Sequence, residues 1–345
     1  MSVTNAYKHL IDCCKLEHDC DYANTTRRGF TLIELVLVLM ILAILAGSAV
    51  SMVSTQVDQA RFESTQQTLQ AIDRAVLGPK HARAANGSRS VSGFVADCGR
   101  LPYSLEELYI RPSSVPQFFN GKPSGVDEST NADNDVIVSG GWNGPYVQPA
   151  IGATSLPDGW ASGLVLYNSN GDLAASEGLG ILRSLGRDQA VGGTNYDADL
   201  SLIFEAEQNA VDAGLATQVE NRWKKPLLVY VYYEDSSTNP NPTNGDKIVV
   251  RLYGPTSDNS GNVTLGTIAQ QTRELNVEDG PVPVTLTFAA EPIGPRIIRA
   301  YQLGVTPEPE LNEELLGDSS AVSVPTRVVI SRETSSLQLI LRDTP

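Results

Sequence analysis

Arg27-Arg28-Gly29-Phe30-Thr31-Leu32-Ile33-Glu34 opens a nearly unbroken apolar run that continues from Leu35 to Val53. Counted from Phe30, a run of about twenty residues rising about 1.5 Å each as a helix crosses a hydrocarbon core of roughly 30 Å. The stretch therefore predicts a membrane span. Two arginines stand directly before it, and the first acidic residues beyond it are Asp58 and Glu63. The positive-inside rule puts residues 1–29 in the cytoplasm and everything past Val53 on the other side.

Glu34 separates this segment from an ordinary anchor, because its carboxylate has Leu32, Ile33, Leu35 and Val36 around it. A charge at such depth costs a few kcal/mol, and an ionisable group inside a membrane calls for a named partner. The plainer reading is an interfacial glutamate, tolerated by the positive end of the helix dipole. The flanking residues argue for the functional one. Gly29-Phe30-Thr31-Leu32-Ile33-Glu34 resembles the processing site of type IV prepilins and of the pseudopilins of type II secretion. The resemblance implies a prepilin peptidase that cuts between Gly29 and Phe30 and methylates the new Phe30 amine. It further implies that Glu34 meets the Phe30 amine of a neighbouring subunit during assembly. The chemistry is consistent, since a buried carboxylate and a buried ammonium, each costly alone, offset one another as a pair.

Composition bounds the rest. Three hundred and forty-five residues suffice for two or three domains. Lys8, Lys15, Arg27 and Arg28 balance Asp12, Glu17, Asp19 and Asp21, so the net charge of −15 belongs to the chain beyond residue 29. Such acidity disfavours nucleic-acid binding, which needs Lys and Arg against phosphates, and suits divalent cations or basic partners. Cys13, Cys14 and Cys20 fall in the leader, leaving Cys98 alone after processing. No bridge within the mature chain is expected. His18 beside the leader cysteines lacks paired CxxC units, so that cluster is read as incidental.

Beyond the span, Gln56 to Leu77 keeps a helical pattern with Val57, Leu69, Ile72 and Val76 on one face, and Gly78-Pro79 supplies a stop. Gly47 and Ser48 are weak helix formers inside it and a place for local unwinding. Residues 80–96 read as a loop, Ser104 and Glu107 have capping-box spacing, and Gln117 to Asn134 reads as irregular. Gly163 to Tyr167 and Gly180 to Leu185 read as short strands. From Pro226 the texture turns to β, with strands expected at Leu227–Tyr233, Lys247–Tyr253, Val282–Phe288, Arg296–Leu303, Thr326–Ile330 and Leu337–Leu341. Asn241 to Asp246 and Asp258 to Asn262 carry turn chemistry. Thr306 to Ser323, acidic and Pro-containing, is expected to be a long loop.

The middle region narrows the resemblance. Trp142-Asn143-Gly144-Pro145-Tyr146 and Leu156-Pro157-Asp158-Gly159-Trp160 resemble elements of the major pseudopilin, although the second lacks the usual Asp-Pro-Trp-Gly order. Ser184 to Asp188, Gly192-Gly193 and Asp197-Ala198-Asp199-Leu200 resemble its calcium loop. The resemblance covers residues 27–202 and implies a structural Ca2+ held by the Leu185 carbonyl, Asp188, Asp197 and Asp199. Oxygen-rich turns of this kind suit calcium, but Asp and Gly also crowd ordinary turns for reasons of backbone geometry.

The expected fold is α+β. A leader, 1–29, precedes a spine helix over 30–79 that spans the membrane over 30–53. A small pseudopilin-type β-sheet domain, 80–225, is followed by an antiparallel β-sandwich, 226–345, of immunoglobulin-like or transthyretin-like kind. Expected partners are the peptidase, other pilin or pseudopilin subunits in a homo- or heteropolymer, and an inner-membrane assembly platform; no nucleic acid is expected. The expected location is the bacterial inner membrane with a periplasmic C-terminal part, then a pseudopilus or pilus fibre. No enzyme is expected: His81 is the one histidine past the leader, and no G-x-S-x-G, H-E-x-x-H or Walker-type sequence occurs. Trp142, Trp160 and Trp223 are read as packing residues rather than sugar platforms. Two other classes stay open on sequence: an adhesin or cargo-binding protein working through the C-terminal domain, and an anchored envelope enzyme using surface carboxylates.

Overall fold

The computed structural model describes residues 29–81, 91–124, 135–150, 153, 155–173, 178–233, 245–275, 284–303, 321–323, 325–332 and 335–343. The leader cysteines, His18 and Arg27-Arg28 lie outside the described residues, as do residues 241–244 of one expected turn and 306–320 of the expected acidic loop.

The apolar run and the amphipathic stretch after it form one helix, α1 (Leu32–Leu77). Its first turn is fixed by Thr31, whose carbonyl accepts from the Glu34 and Leu35 N–H groups at 3.1 Å and whose hydroxyl accepts from Glu34 N–H at 3.3 Å. Capping of this kind satisfies donors that have no partner within the helix. Gly47 and Ser48 are helical, with Ser48 Oγ donating to the Leu45 carbonyl. At the far end Gly78 takes φ +73° and donates to the Arg74 carbonyl at 2.9 Å, the left-handed stop that glycine adopts without strain. Thr65, Leu69, Ile72 and Val76 are buried at helical spacing. Val57 is not on that face: it is 43% exposed.

The chain divides into two compact units, Met1–Thr55 and Gln56–Pro345. The second begins with the C-terminal part of α1 and continues through α2 (Phe94–Cys98), a buried turn of helix that begins within the last residues of the expected loop 80–96. Gly99 ends it at φ +71°, against the Pro255 carbonyl, which a Cβ would approach to 2.1 Å. A 3-10 turn, Leu105–Leu108, follows Ser104, but no side-chain cap forms. Glu107 pairs with Arg100 at 2.8 Å and accepts from the N–H of Tyr103, one residue before the expected cap, at 3.2 Å. Strands β1 (Phe119–Gly121) and β2 (Val138–Gly140) pair antiparallel, the first within the segment expected to be irregular. Strands β3 (Val165–Tyr167), β4 (Ile181–Ser184) and β5 (Leu200–Ile203) form a three-stranded antiparallel sheet at the two expected positions and one more. Strand β6 (Glu205–Ala206), α3 (Gln208–Asp212) and β7 (Glu220–Asn221) complete this region.

The β-rich part comprises β8 (Lys224–Tyr233), β9 (Lys247–Ser257), β10 (Val263–Glu274), β11 (Val284–Pro292), β12 (Gly294–Leu303), β13 (Ala321–Ser323), β14 (Thr326–Ile330) and β15 (Ser335–Asp343). All six expected strands are present. Strand β10 was not expected, since Thr, Gln and Arg along it conceal the alternation, and β13 falls at the end of the expected acidic loop. The Asp258 turn joins β9 to β10, with Asp258 Oδ1 accepting from the Ser260 and Asn262 amides. Among the described residues the hydrogen-bonded order is β10-β9-β12-β13-β15-β8-β11, with β14 also on β12. Two findings differ from a wholly antiparallel sandwich. The eight strands belong to one hydrogen-bonded sheet, and β15 runs parallel to β8, Leu337 opposite Val229. Arg273 of β10 donates to the Thr285 carbonyl of β11 at 3.4 Å, so the outer strands of this order meet.

The boundary expected near residue 225 is not a break in packing. One hydrophobic core holds Leu69, Ile72 and Val76 of α1, Phe94 and Cys98 of α2, Leu182 of β4, and Leu227, Val250, Phe288 and Leu339 of the large sheet. Buried Arg296 of β12 donates to the Ala96 carbonyl at 2.9 Å, and Val263 N–H of β10 donates to the Ser114 carbonyl at 3.2 Å.

Candidate functional site

Gly29 is exposed and precedes the helix, Phe30 is 77% exposed, and Glu34 stands in the first turn of α1. The positive end of the helix dipole therefore faces Glu34 and whatever group lies beside it. From Leu32 to Leu45 the large apolar side chains are exposed. Apolar area left in water is unfavourable by about 25 cal/mol per Å², so this surface requires lipid or other helices. Among the described residues α1 is the one helix long and apolar enough to cross a membrane.

The second candidate is the loop from Leu185 to Asp199 between β4 and β5. Gly186, at φ +69°, and Gly193, at φ +88°, let the backbone fold tightly: a Cβ on Gly193 would lie 2.4 Å from the Asp197 carbonyl. Arg187 N–H donates to the Tyr196 carbonyl at 2.9 Å, closing the loop. Asp188 Oδ1 accepts from Ala190 N–H at 3.1 Å. Asp197 gives both oxygens to Arg187, to Nε at 2.8 Å and Nη2 at 3.0 Å. Asp199 Oδ2 pairs with Arg183 of β4 and accepts from Gly192 N–H at 2.7 Å. Arg187 also reaches Asp58 of α1, Nη1 to Oδ2 at 2.8 Å, and Phe62 of α1 meets Tyr196 edge-on at 6.1 Å. Hydrogen bonds to Asp197 and then Asp58 push the Arg187 pKa further up.

This donor set does not fit a calcium ion as arranged. Two of the three carboxylates expected as ligands are engaged by guanidinium groups, and among the described residues no group of three or more His, Cys, Asp or Glu side chains is gathered as a metal would need. Sequence reasoning missed Arg183, Arg187 and Asp58. The basic residues at the loop's entrance were the available signal.

The two aromatic motifs are packing devices. Trp142 Nε1–H donates to the Glu107 carbonyl at 2.8 Å, and Tyr146 O–H donates to Asp97 Oδ2 at 3.0 Å. Burial pushes the Asp97 carboxyl up to about 6 against the Tyr146 hydrogen bond and the charge of Arg296. Asp158 accepts from the Trp160 and Ser162 amides and from Ser184 Oγ, shaping a turn whose Gly159 N–H donates to Thr65 of α1 at 2.9 Å. Trp223 is buried, its Nε1–H on Glu205 at 2.9 Å, under the Lys224 ammonium. Cys98 is buried and its thiol pushed up to about 12 by that burial, which leaves no thiolate at neutral pH.

The fold and these geometries meet what comparison with known proteins finds. Residues 24–50 match the prokaryotic N-terminal methylation motif. The amino-terminal part of the chain thus carries a prepilin-type motif. The chain is 25% identical to the type II secretion system core protein G of Xanthomonas campestris pv. campestris over 172 residues, 50% of this chain and 87% of that one. A solved structure, an alternative pilotin from the type II secretion system of Vibrio cholerae, overlaps 35% of this chain and 98% of its own at 13% identity with a TM-score of 0.23, too low to support any inference. The motif and the relative support a membrane-anchored subunit of pilin or pseudopilin kind.

Proposed function

We propose that this chain is a fibre subunit of a type II secretion pseudopilus or a related type IV pilus-like assembly. The observation that carries the reading is the methylation motif over residues 24–50, which holds Glu34 at the start of a helix whose large apolar side chains from Leu32 to Leu45 are exposed. A prepilin peptidase cuts between Gly29 and Phe30 and methylates Phe30. Residues 1–29 stay in the cytoplasm, the start of α1 rests in the inner membrane, and the β-rich part lies in the periplasm. Subunits then leave the membrane by exchanging lipid for the apolar faces of neighbouring helices on an assembly platform. Glu34 sets their register by pairing with the Phe30 amine next to it. In a low-dielectric surround such a pair is favourable only when both members are present.

Mass spectrometry of the mature protein tests the first step. The expected amino terminus is methylated Phe30, and an intact Met1 in cells with an active peptidase would overturn the proposal. Glu34→Gln keeps size and removes charge, so cleavage is expected to persist while fibre yield falls. Normal fibres from that variant would remove Glu34 from assembly. The reading in which the C-terminal region is an independent binding module is disfavoured by the core it shares with α1 and α2.

A further inference from the structure

We propose that Arg183 and Arg187 act as built-in cations of the Leu185–Asp199 loop, so that the loop closes without a metal ion, and that Arg187 pins it to α1 through Asp58.

The charges match. Two guanidinium groups bring the same positive charge as one divalent cation to the carboxylates of Asp197 and Asp199. The geometry matches as well. Arg187 presents two N–H groups in parallel to Asp197 and a third to Asp58, the forked donation that suits a planar guanidinium and that a spherical ion does not need. A cation at Asp197 would have to displace Arg187, leaving a guanidinium beside a divalent charge. The atoms left without partners at the Arg183–Asp199 pair point the same way. They are Arg183 Nε and Asp199 Oδ1, one donor and one acceptor, the remainder of a pair closed through a single contact. Arg183 Nε is a donor, which a cation could not satisfy.

The arrangement has a mechanical result that an ion confined to the loop would lack. Arg187 joins the Asp197 end of the loop to Asp58, four residues before Phe62, against which Tyr196 of the same loop packs. Loop closure and attachment to the helix are therefore one event.

The test uses the full processed chain in detergent, with thermal unfolding and limited proteolysis between residues 186 and 199 followed in a calcium chelator and in added CaCl2. The wild type is expected to give the same melting temperature and the same cleavage rate in both. Arg187→Met is expected to speed loop cleavage about fivefold or more in chelator. Asp58→Asn, which leaves the loop's own carboxylates intact, is expected to speed it less. The double variant should fall short of the sum, because both substitutions break one clasp. A rise in wild-type melting temperature or loop protection with CaCl2 would overturn the proposal, and so would unchanged cleavage in Arg187→Met. The wild-type calcium comparison decides even if a variant fails to fold.

Discussion

At the scale of single residues, Asp97 gives the clearest dependence on pH. Its carboxyl is held up at about 6 in the folded chain against 3.8 for the free group, chiefly by burial. The folded state thus holds the proton more tightly than the unfolded one. The stability this confers is fully present below the lower value and is lost as pH rises through the upper one, by ~3 kcal/mol at about 1.4 kcal/mol per pH unit. Asp97→Asn keeps an acceptor for Tyr146 and removes the titration. Denaturant unfolding of the full chain between about pH 4 and 7 is expected to show a flattened profile in the variant; identical slopes in the two proteins would refute the assignment. Gly159 offers a steric test, since a Cβ there would stand 1.9 Å from the Arg61 carbonyl oxygen. Gly159→Ala is expected to cost about 1–3 kcal/mol as the turn is pushed off α1, read as a lowered denaturation midpoint. As a charge inside an apolar run, Glu34 was conspicuous in the sequence. Asp97 was not, because its burial comes from residues far along the chain.

At the scale of elements, the C-terminal end of α1 is clasped to the β-rich region by Asp73. Its carboxylate receives Arg222 at 2.7 Å and Arg332 at 3.2 Å, and Arg332 Nη2 also donates to the Gly78 carbonyl at 2.7 Å. Burial pulls the Arg332 pKa down while Asp73 holds it up. Removing the acid leaves two half-buried guanidinium groups facing each other, so Asp73→Asn is expected to destabilise by about 3 kcal/mol. Arg332→Met should cost less, since Asp73 keeps Arg222; a larger loss from Arg332→Met, measured by the same unfolding, would show that capping of Gly78 dominates. The buried face of α1 was readable from the spacing of Leu69, Ile72 and Val76. The clasp was not, because its partners lie 149 and 259 residues away and no periodicity records them.

At the scale of the molecule, the strands were visible in their Val, Ile, Leu and Tyr content, but their order was not. Alternation tells which side chains are buried and not what buries them. That is why a division at residue 225 looked natural in sequence while the core runs across it. A chain ending at Lys225 loses most of the strands that share a core with Ile72, Phe94 and Leu182, and it is expected to bind a hydrophobic dye and to unfold without cooperativity. A cooperative melt from that truncated chain would restore the two-domain view. The place of β15 has one more result. It lies between β13 and β8, parallel to β8, about a hundred residues downstream of it, a separation that slows pairing through loop-closure entropy. A polypeptide synthesised from its amino end therefore presents β8 with one edge bare until that distant segment arrives, and for that interval the unpaired N–H and C=O groups of the half-built sheet are open to a sister chain.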